Sequence, residues 1–225
     1  MIPIVAIRPE PGCAASLAAA RALGLEAHGF ALFVVHPVAW QPPAPGQFDA
    51  LLAGSANVFR HGGAALAGYR ALPVHAVGAT TAEAAHAAGF AIASVGSGGL
   101  QGVLDTIAPG TRLLRLAGAE RIALSVPAGV TMAERTVYAS EPQRMPAALV
   151  RLLERPAVVL LHSAEAARHF AAECARNGVA RGRLSLACIG PRVAAAAGGG
   201  WAALATAARP EETALLAKAA ELCQT

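Results

Sequence analysis

Short apolar runs alternate with longer Ala-rich stretches along the whole chain. Ile4–Ile7 is a continuous apolar run, which predicts a strand buried on both faces. Cys13–Leu23 predicts a helix closed by Gly24 in the C′ position, where left-handed backbone is needed. Ala31–Val38, rich in β-branched and aromatic residues, predicts a strand, and Gln41–Gly46 is a Pro-rich linker.

The pattern then reads strand, Ser turn, helix (about Ala56–Leu66), strand, Gly turn, helix (Thr80–Ala88) and strand (Ala91–Val95). A short helix near Leu100–Ile107 follows, with strands around Arg112–Leu116 and Arg135–Ala139. The last third predicts helices near Pro146–Leu153, Ala164–Arg176, Arg192–Ala197 and Glu211–Cys223. Strands lie between them near Val158–Leu161, Leu186–Ile189 and Ala203–Thr206. Strands alternating with helices of about ten residues make parallel sheets.

Part of this pattern occurs twice. Asp49–Asn57 and Val74–Phe90 match Ala157–Glu165 and Leu186–Trp201, at offsets of 108 between Ser55 and Ser163 and 112 between Gly78 and Gly190. A solenoid repeats every ~20–50 residues. A period near half the chain instead predicts two similar lobes with a cleft between them, and a cleft is a candidate site. The expected fold is therefore α/β, with two doubly wound parallel-sheet lobes. The stretches near 33–38 and 136–142 stand at comparable places ahead of the two copies and are the candidate linker strands.

Composition narrows the function. The chain has 225 residues, 55% hydrophobic and 14% charged, which suits a packed core. No apolar run approaches the ~18 residues of a membrane span. The first residues lack a basic n-region and read as a strand, so a soluble, cytoplasmic protein is expected. The four cysteines show no CxxC spacing and the seven histidines no HxxH, so buried thiols and no metal site are expected. The net charge of +4 rests on 17 arginines and the single Lys218. It suits an anionic ligand, while no dense basic run points to nucleic acid.

The candidate chemistry sits at strand-to-helix turns. Ser55 and Ser163 each follow an apolar strand and precede a helix, an N-cap position. Gly78 and Gly190 follow the next strand of each copy, with Thr80 and Thr81 opening a helix after the first. Helix N-termini present free N–H groups and partial positive charge, so such turns bind carboxylates or phosphates. Gly96–Gly99 lacks the Lys-Ser/Thr of a phosphate-binding loop, and no GxGxxG follows the first strand. No Ser lies in a GxSxG elbow, and the cysteines do not match between copies, which argues against a two-thiol racemase.

Taken in order, Arg8-Pro, Ser55-Ala-Asn57, Val77–Ala82, Val137-Tyr138, Ser163 and Ile189-Gly-Pro191 resemble the uroporphyrinogen-III synthase family over nearly the whole chain. The resemblance implies two α/β lobes on a two-stranded linker, with a discontinuous first domain of 1–36 plus 142–225 and a second of 37–141. It implies a lyase that closes the linear tetrapyrrole hydroxymethylbilane into uroporphyrinogen III, inverting the D ring and losing water. It also implies no cofactor, and a monomer is expected because the cleft would lie within one chain. Tyr138 matches the family's functional tyrosine; a phenol is protonated at neutral pH and can donate to a departing hydroxyl. Thr81 and Ser163 match substrate-binding positions, with Ser55, Gly78, Gly190, Arg8 and Arg192 as further contacts for substrate carboxylates. The second Gly turn departs from the family, since Val193 stands where a hydroxyl residue is common and leaves donation to backbone N–H or Arg192. Ser185 replaces a lysine of some members, and Ala117–Thr131 is too broken for the helix often found there. The alternative reading is a non-catalytic bilobal protein that binds a small polyanion through the same turns.

Overall fold

The structure is a computed structural model that describes residues 2–97 and 99–224, so Gly98 of the Gly96–Gly99 stretch lies outside it. In chain order the strands and α-helices begin with β1 (Ile4–Ala6), α1 (Gly12–Ala22), β2 (Ala27–Gly29), β3 (Phe33–Pro37), β4 (Ala50–Ala53), α2 (Asn57–His61) and β5 (Val74–Val77). They continue with α3 (Ala79–Ala87), β6 (Ile92–Gly96), α4 (Leu100–Leu104), β7 (Arg112–Gly118), β8 (Thr131–Pro142), α5 (Ala147–Leu152) and β9 (Ala157–Leu161). The last are α6 (Ala164–Arg176), β10 (Leu184–Cys188), α7 (Pro191–Ala197), β11 (Ala203–Thr206) and α8 (Glu212–Leu222).

The chain divides into two compact units, one of Met1–Val34 with Glu141–Thr225, the other of Val35–Ser140. In the first, five parallel strands lie in the order β11-β10-β9-β1-β2. Strands β1, β9 and most of β10 are buried on both faces, as their unbroken apolar sequences require. One face packs on α6, α7 and Leu149 of α5, the other on α1 and α8. Helix α6 shows why: Ala166, Ala167, Phe170, Ala171 and Cys174 recur at helical spacing and form its buried stripe.

In the second unit six strands lie in the order β3-β8-β7-β4-β5-β6, and β8 through β6 pair in parallel. Residues of α2 and α3 cover one face; α4, Ile107 and Leu124 cover the other. The chain leaves and re-enters the first unit within β3 and β8, which are neighbours in this sheet.

The duplication extends further than the sequence match. Both sheets carry a repeated βαβαβ half, β4-β5-β6 and β9-β10-β11. Beside each half lie two more strands in the same spatial place, β7-β8 in one and β1-β2 in the other. Those outer strands follow the repeated half in the second unit and precede it in the first. The two sheets are circular permutations of one arrangement.

Four local expectations change. The helix about Ala56–Leu66 is two pieces, α2 and a 3₁₀ turn over Ala64–Tyr69, because Gly62 and Gly63 interrupt it and Gly63 takes φ 72°. Strand β2 has no apolar signature and pairs with β1 at the sheet edge. The strand expected over Ala31–Val38 starts at Phe33, since Phe30 and Leu32 donate their N–H groups to Ala6, the last residue of β1, and to Ile7 just after it. The strand expected over Arg135–Ala139 runs for 12 residues, Thr131–Pro142. The connection after β7 carries no helix, as its Pro127 and Gly129 predict. Cys13, Cys174 and Cys188 are buried thiols, while Cys223 is half-buried.

Candidate functional sites in the two units

In a doubly wound sheet the chain runs outward in one direction and then in the other. Where the two directions part, the loops at the carboxyl ends of two neighbouring strands separate and leave a crevice. In the second unit this point lies between β4 and β7. A cavity of about 270 Å³ opens there, walled by Gly54 and Ser55 after β4, by Ala117 and Gly118 at the end of β7, and by Tyr138 of β8.

Each wall follows from local sequence. Gly118 carries no side chain, and a Cβ there would lie 2.7 Å from the Tyr138 ring, so the ring rests directly on the strand end. A register shift between Ala117 and Gly118 places Tyr138 opposite Gly118. The Tyr138 hydroxyl makes no hydrogen bond among the described residues, and the ring is half-buried, 6.5 Å from that of His61 between centroids. Burial, then the charge of Arg60, lowers the His61 pKa. Ser55 stands one residue ahead of the Ala56 cap, not at it, and its Oγ accepts from the Asn57 N–H at 3.2 Å. The hydroxyl hydrogen remains available.

Gly78 caps α3 with φ 79°, a left-handed conformation that favours glycine. Thr81, in the first turn, is 5% exposed, whereas Thr80 beside it is exposed. Val77 reaches the cavity wall; Gly78 and Thr81 do not line it. The second unit thus brings Ser55 and Tyr138 together and sets Thr81 apart from them.

Four charged residues at this cavity escaped the sequence reading. Arg115, Glu120 and Arg121 line the wall, and Glu134 on β8 sits opposite Arg115 in the strand register. Arg115 is 2% exposed; its Nη1 donates to Glu134 at 2.6 Å and its Nη2 to the Ile122 carbonyl at 3.0 Å. Arg121 Nε donates to the other Glu134 oxygen at 3.2 Å, and its Nη1 to Gly118, Ala119 and Thr136. The available signal was a lone arginine inside the apolar run Leu113–Leu116, a buried cation that must find a partner.

In the first unit the corresponding point lies between β1 and β9, and a cluster of charged side chains spans it. Arg8, after β1, donates to Glu212 at 3.0 Å. Glu212, in the first turn of α8, also accepts from Ser16 at 2.5 Å and pairs with His162 Nε2 at 2.8 Å. Burial pushes the Glu212 carboxyl up, but the His162 hydrogen bond and charge, the Ser16 bond and the Arg8 charge outweigh it, so its pKa falls below the usual range. His162 Nδ1 is buried with no partner among the described residues. Ser163 caps α6 and accepts from the Ala166 N–H at 3.0 Å. Gly190 caps the short α7 in extended backbone, followed by Pro191 and an exposed Arg192, while Val193 is buried.

Among the described residues no three His, Cys, Asp or Glu side chains group as metal ligands, and no helix is long and apolar enough to cross a membrane.

The sequence profile of the HEM4 family, described as uroporphyrinogen-III synthase HemD, matches residues 15–217. Curated protein sequences give no match. The fold resembles that of the uroporphyrinogen-III synthetase of Helicobacter pylori, with a TM-score of 0.64 and 15% identity over 99% of this chain and 100% of the other. A mutant uroporphyrinogen III synthase of the extremely thermophilic bacterium Thermus thermophilus aligns with a TM-score of 0.53 and 18% identity over 99% and 100% of the two chains. With the profile covering most of the chain, this protein belongs to the HEM4 family, the uroporphyrinogen-III synthases.

Proposed function

We propose that the chain is itself a uroporphyrinogen-III synthase, closing hydroxymethylbilane into uroporphyrinogen III with inversion of the D ring and loss of water. Family membership supports the reaction, and one observation of this chain carries it: a tyrosine hydroxyl without a partner among the described residues, on the wall of a cavity at a strand crossover. The substrate's hydroxymethyl C–O bond breaks readily to an azafulvene, which can close unaided to the uninverted isomer. The protein must therefore assist departure and select the carbon that attacks. Tyr138 donates its proton as the C–O bond breaks, so hydroxide leaves as water. The substituted carbon of the D ring then attacks the azafulvene methylene to give a spiro pyrrolenine. The attacking carbon's original bond to the bridging methylene breaks, and that methylene bonds instead to the free α-carbon of the D ring. The proton lost from that α-carbon restores the pyrrole and the phenol. Orientation supplies the larger part of the effect.

The net reaction is redox-neutral, so no electron-carrying cofactor is required by its balance. Ser55 contributes a hydroxyl beside Tyr138. Gly78 and Thr81 in the second unit, and Arg8, Ser163, Gly190 and Arg192 in the first, are proposed contacts for substrate carboxylates. Thr81 acts through the turn it stabilises, since its side chain is buried and its N–H donates to the Gly78 carbonyl. On this reading the protein works in the cytoplasm as a monomer.

The test is product analysis. Incubation with hydroxymethylbilane, oxidation and chromatography is expected to give isomer III, and Tyr138→Phe to slow its formation at least about tenfold with the circular dichroism unchanged. Isomer I alone at the uncatalysed rate would refute the activity and leave polyanion binding. An unimpaired Tyr138→Phe variant would remove Tyr138 from the chemistry.

A further inference from the structure

We infer that the cavity beside Tyr138 is a subsite for one carboxylate-bearing arm of the ligand, with Arg121 as its cation and Glu120 as an opposing charge on its rim. This rests on the synthase reading and adds residues that the family motifs in this sequence do not include.

The cavity's size sets what it can hold. At about 270 Å³ it falls just below the ~300–1,000 Å³ of pockets that enclose a whole drug-sized ligand. It takes one substituted ring or one acidic arm, and the rest of a tetrapyrrole must lie outside it.

The wall is rich in donors. Glu134 spends one oxygen on each arginine, so neither guanidinium has a second carboxylate among the described residues. Arg115 Nε is buried with no partner there, so this wall holds a donor whose hydrogen bond the protein does not make. Arg121 uses Nε and Nη1 on protein acceptors, leaving its Nη2 edge without one among the described residues, and its side chain is 32% exposed. The Ser55 and Tyr138 hydroxyls complete the set. The acidic side chain on the same wall is Glu120, which is exposed and has no ion pair among the described residues. A planar guanidinium already fixed by four acceptors is well suited to receive a carboxylate with little further loss of freedom.

The competing explanation is that Arg121 only pins the irregular 119–130 segment to the sheet. That segment has a second anchor whose residues do not line the cavity: Gln101 exchanges two hydrogen bonds with the Ser125 backbone, both 2.9 Å. Gln101→Ala therefore loosens the segment without changing the cavity's charges and serves as the structural control.

The experiment uses the full chain, with hydroxymethylbilane kinetics and fluorescence titration of uroporphyrin III, a stable octacarboxylate. Arg121→Gln is expected to raise KM and the uroporphyrin Kd about tenfold while kcat stays within about threefold. Arg121→Lys should recover part of the loss, and Glu120→Gln should tighten both constants. Gln101→Ala should leave them near wild type. KM and Kd unchanged in a folded Arg121→Gln, or equal losses in Arg121→Gln and Gln101→Ala, would overturn the subsite. If the wild type yields only isomer I, the synthase reading fails and the titration decides alone. Weaker uroporphyrin binding by Arg121→Gln than by wild type then sustains the subsite, and absent or unaltered binding removes it.

Discussion

The two units share one sheet arrangement, and each places a crevice between the same two strands, yet the crevices differ in what fills them. In the first unit Glu212 sits inside the crevice and gathers Arg8, His162 and Ser16. Its charges are satisfied internally. In the second unit the carboxylate, Glu134, lies on β8 beneath the crossing segment, and the space at the strand ends stays open, bounded by Ser55, Gly118 and Tyr138. The source of the carboxylate explains the contrast. A helix-borne acid at the first turn of α8 points over the strand ends, whereas a strand-borne acid stays within the sheet's face. Topology creates the crevice, and the element that supplies the counter-charge decides whether it remains available to a ligand.

The sharpest way to break this comparison is to remove the acid from each unit. Glu134→Gln leaves the buried Arg115 without its carboxylate and is expected to cost about 3 kcal/mol, read as a lower midpoint in urea. A change too small to measure would mean that the Ile122 carbonyl and solvent suffice for Arg115. Glu212 is itself 29% exposed and an amide keeps part of its hydrogen bonding, so Glu212→Gln should cost only about 1 kcal/mol.

Its pH dependence gives a second reading. The Glu212 pKa is depressed in the folded state, so the stabilisation it contributes is present above the unfolded carboxyl value of about 4.3. It disappears as pH falls through the lower folded value. Wild type should therefore lose part of its margin over Glu212→Gln on acidification through that window, measured as converging melting temperatures. A margin that is flat with pH would show that the cluster contributes no charge-dependent stability.

Gly118→Ala probes the open crevice without touching a charge. The new methyl meets the Tyr138 ring at 2.7 Å and must push it aside. The expected result is a rate of isomer III formation lower by about tenfold with a urea midpoint near wild type, and retained activity would show that the ring's seat on the strand end is unimportant.

The smallest contrast is between the two matched serines. Ser163→Ala removes a cap from the 13-residue α6 and should cost about 1 kcal/mol. Ser55→Ala, ahead of the five-residue α2, should cost less in stability and show itself in KM. Equal thermal shifts and an unchanged KM would mean that the two serines are both structural.

Much of this was legible in the chain. Unbroken apolar runs such as Val158–Leu161 can only be strands buried on both faces, and the spacing of Phe170 and Cys174 marks a helix face. The 108-residue offset of Ser55 and Ser163 announced two similar halves. Tyr138 could be singled out because the family resemblance ran through it. Strand β2 was missed, because a three-residue edge strand carries no periodicity; its pairing with β1 creates it. Arg115 and Glu134 were passed over for a related reason. They are 19 residues apart in sequence and become partners only when β7 and β8 lie side by side in one particular register.

By itself, then, the sequence determined the fold class, the repeat and the turns at which helices begin, since these depend on local periodicity and on glycine and serine at fixed offsets. Tertiary structure alone decided which of those turns meet. Strand order set β4 beside β7 and β1 beside β9, so Ser55 reaches Tyr138 while Thr81, a neighbouring strand away, is buried in the first turn of α3. Strand adjacency is a long-range property, set by how whole apolar faces are buried together, and no short stretch of residues encodes it.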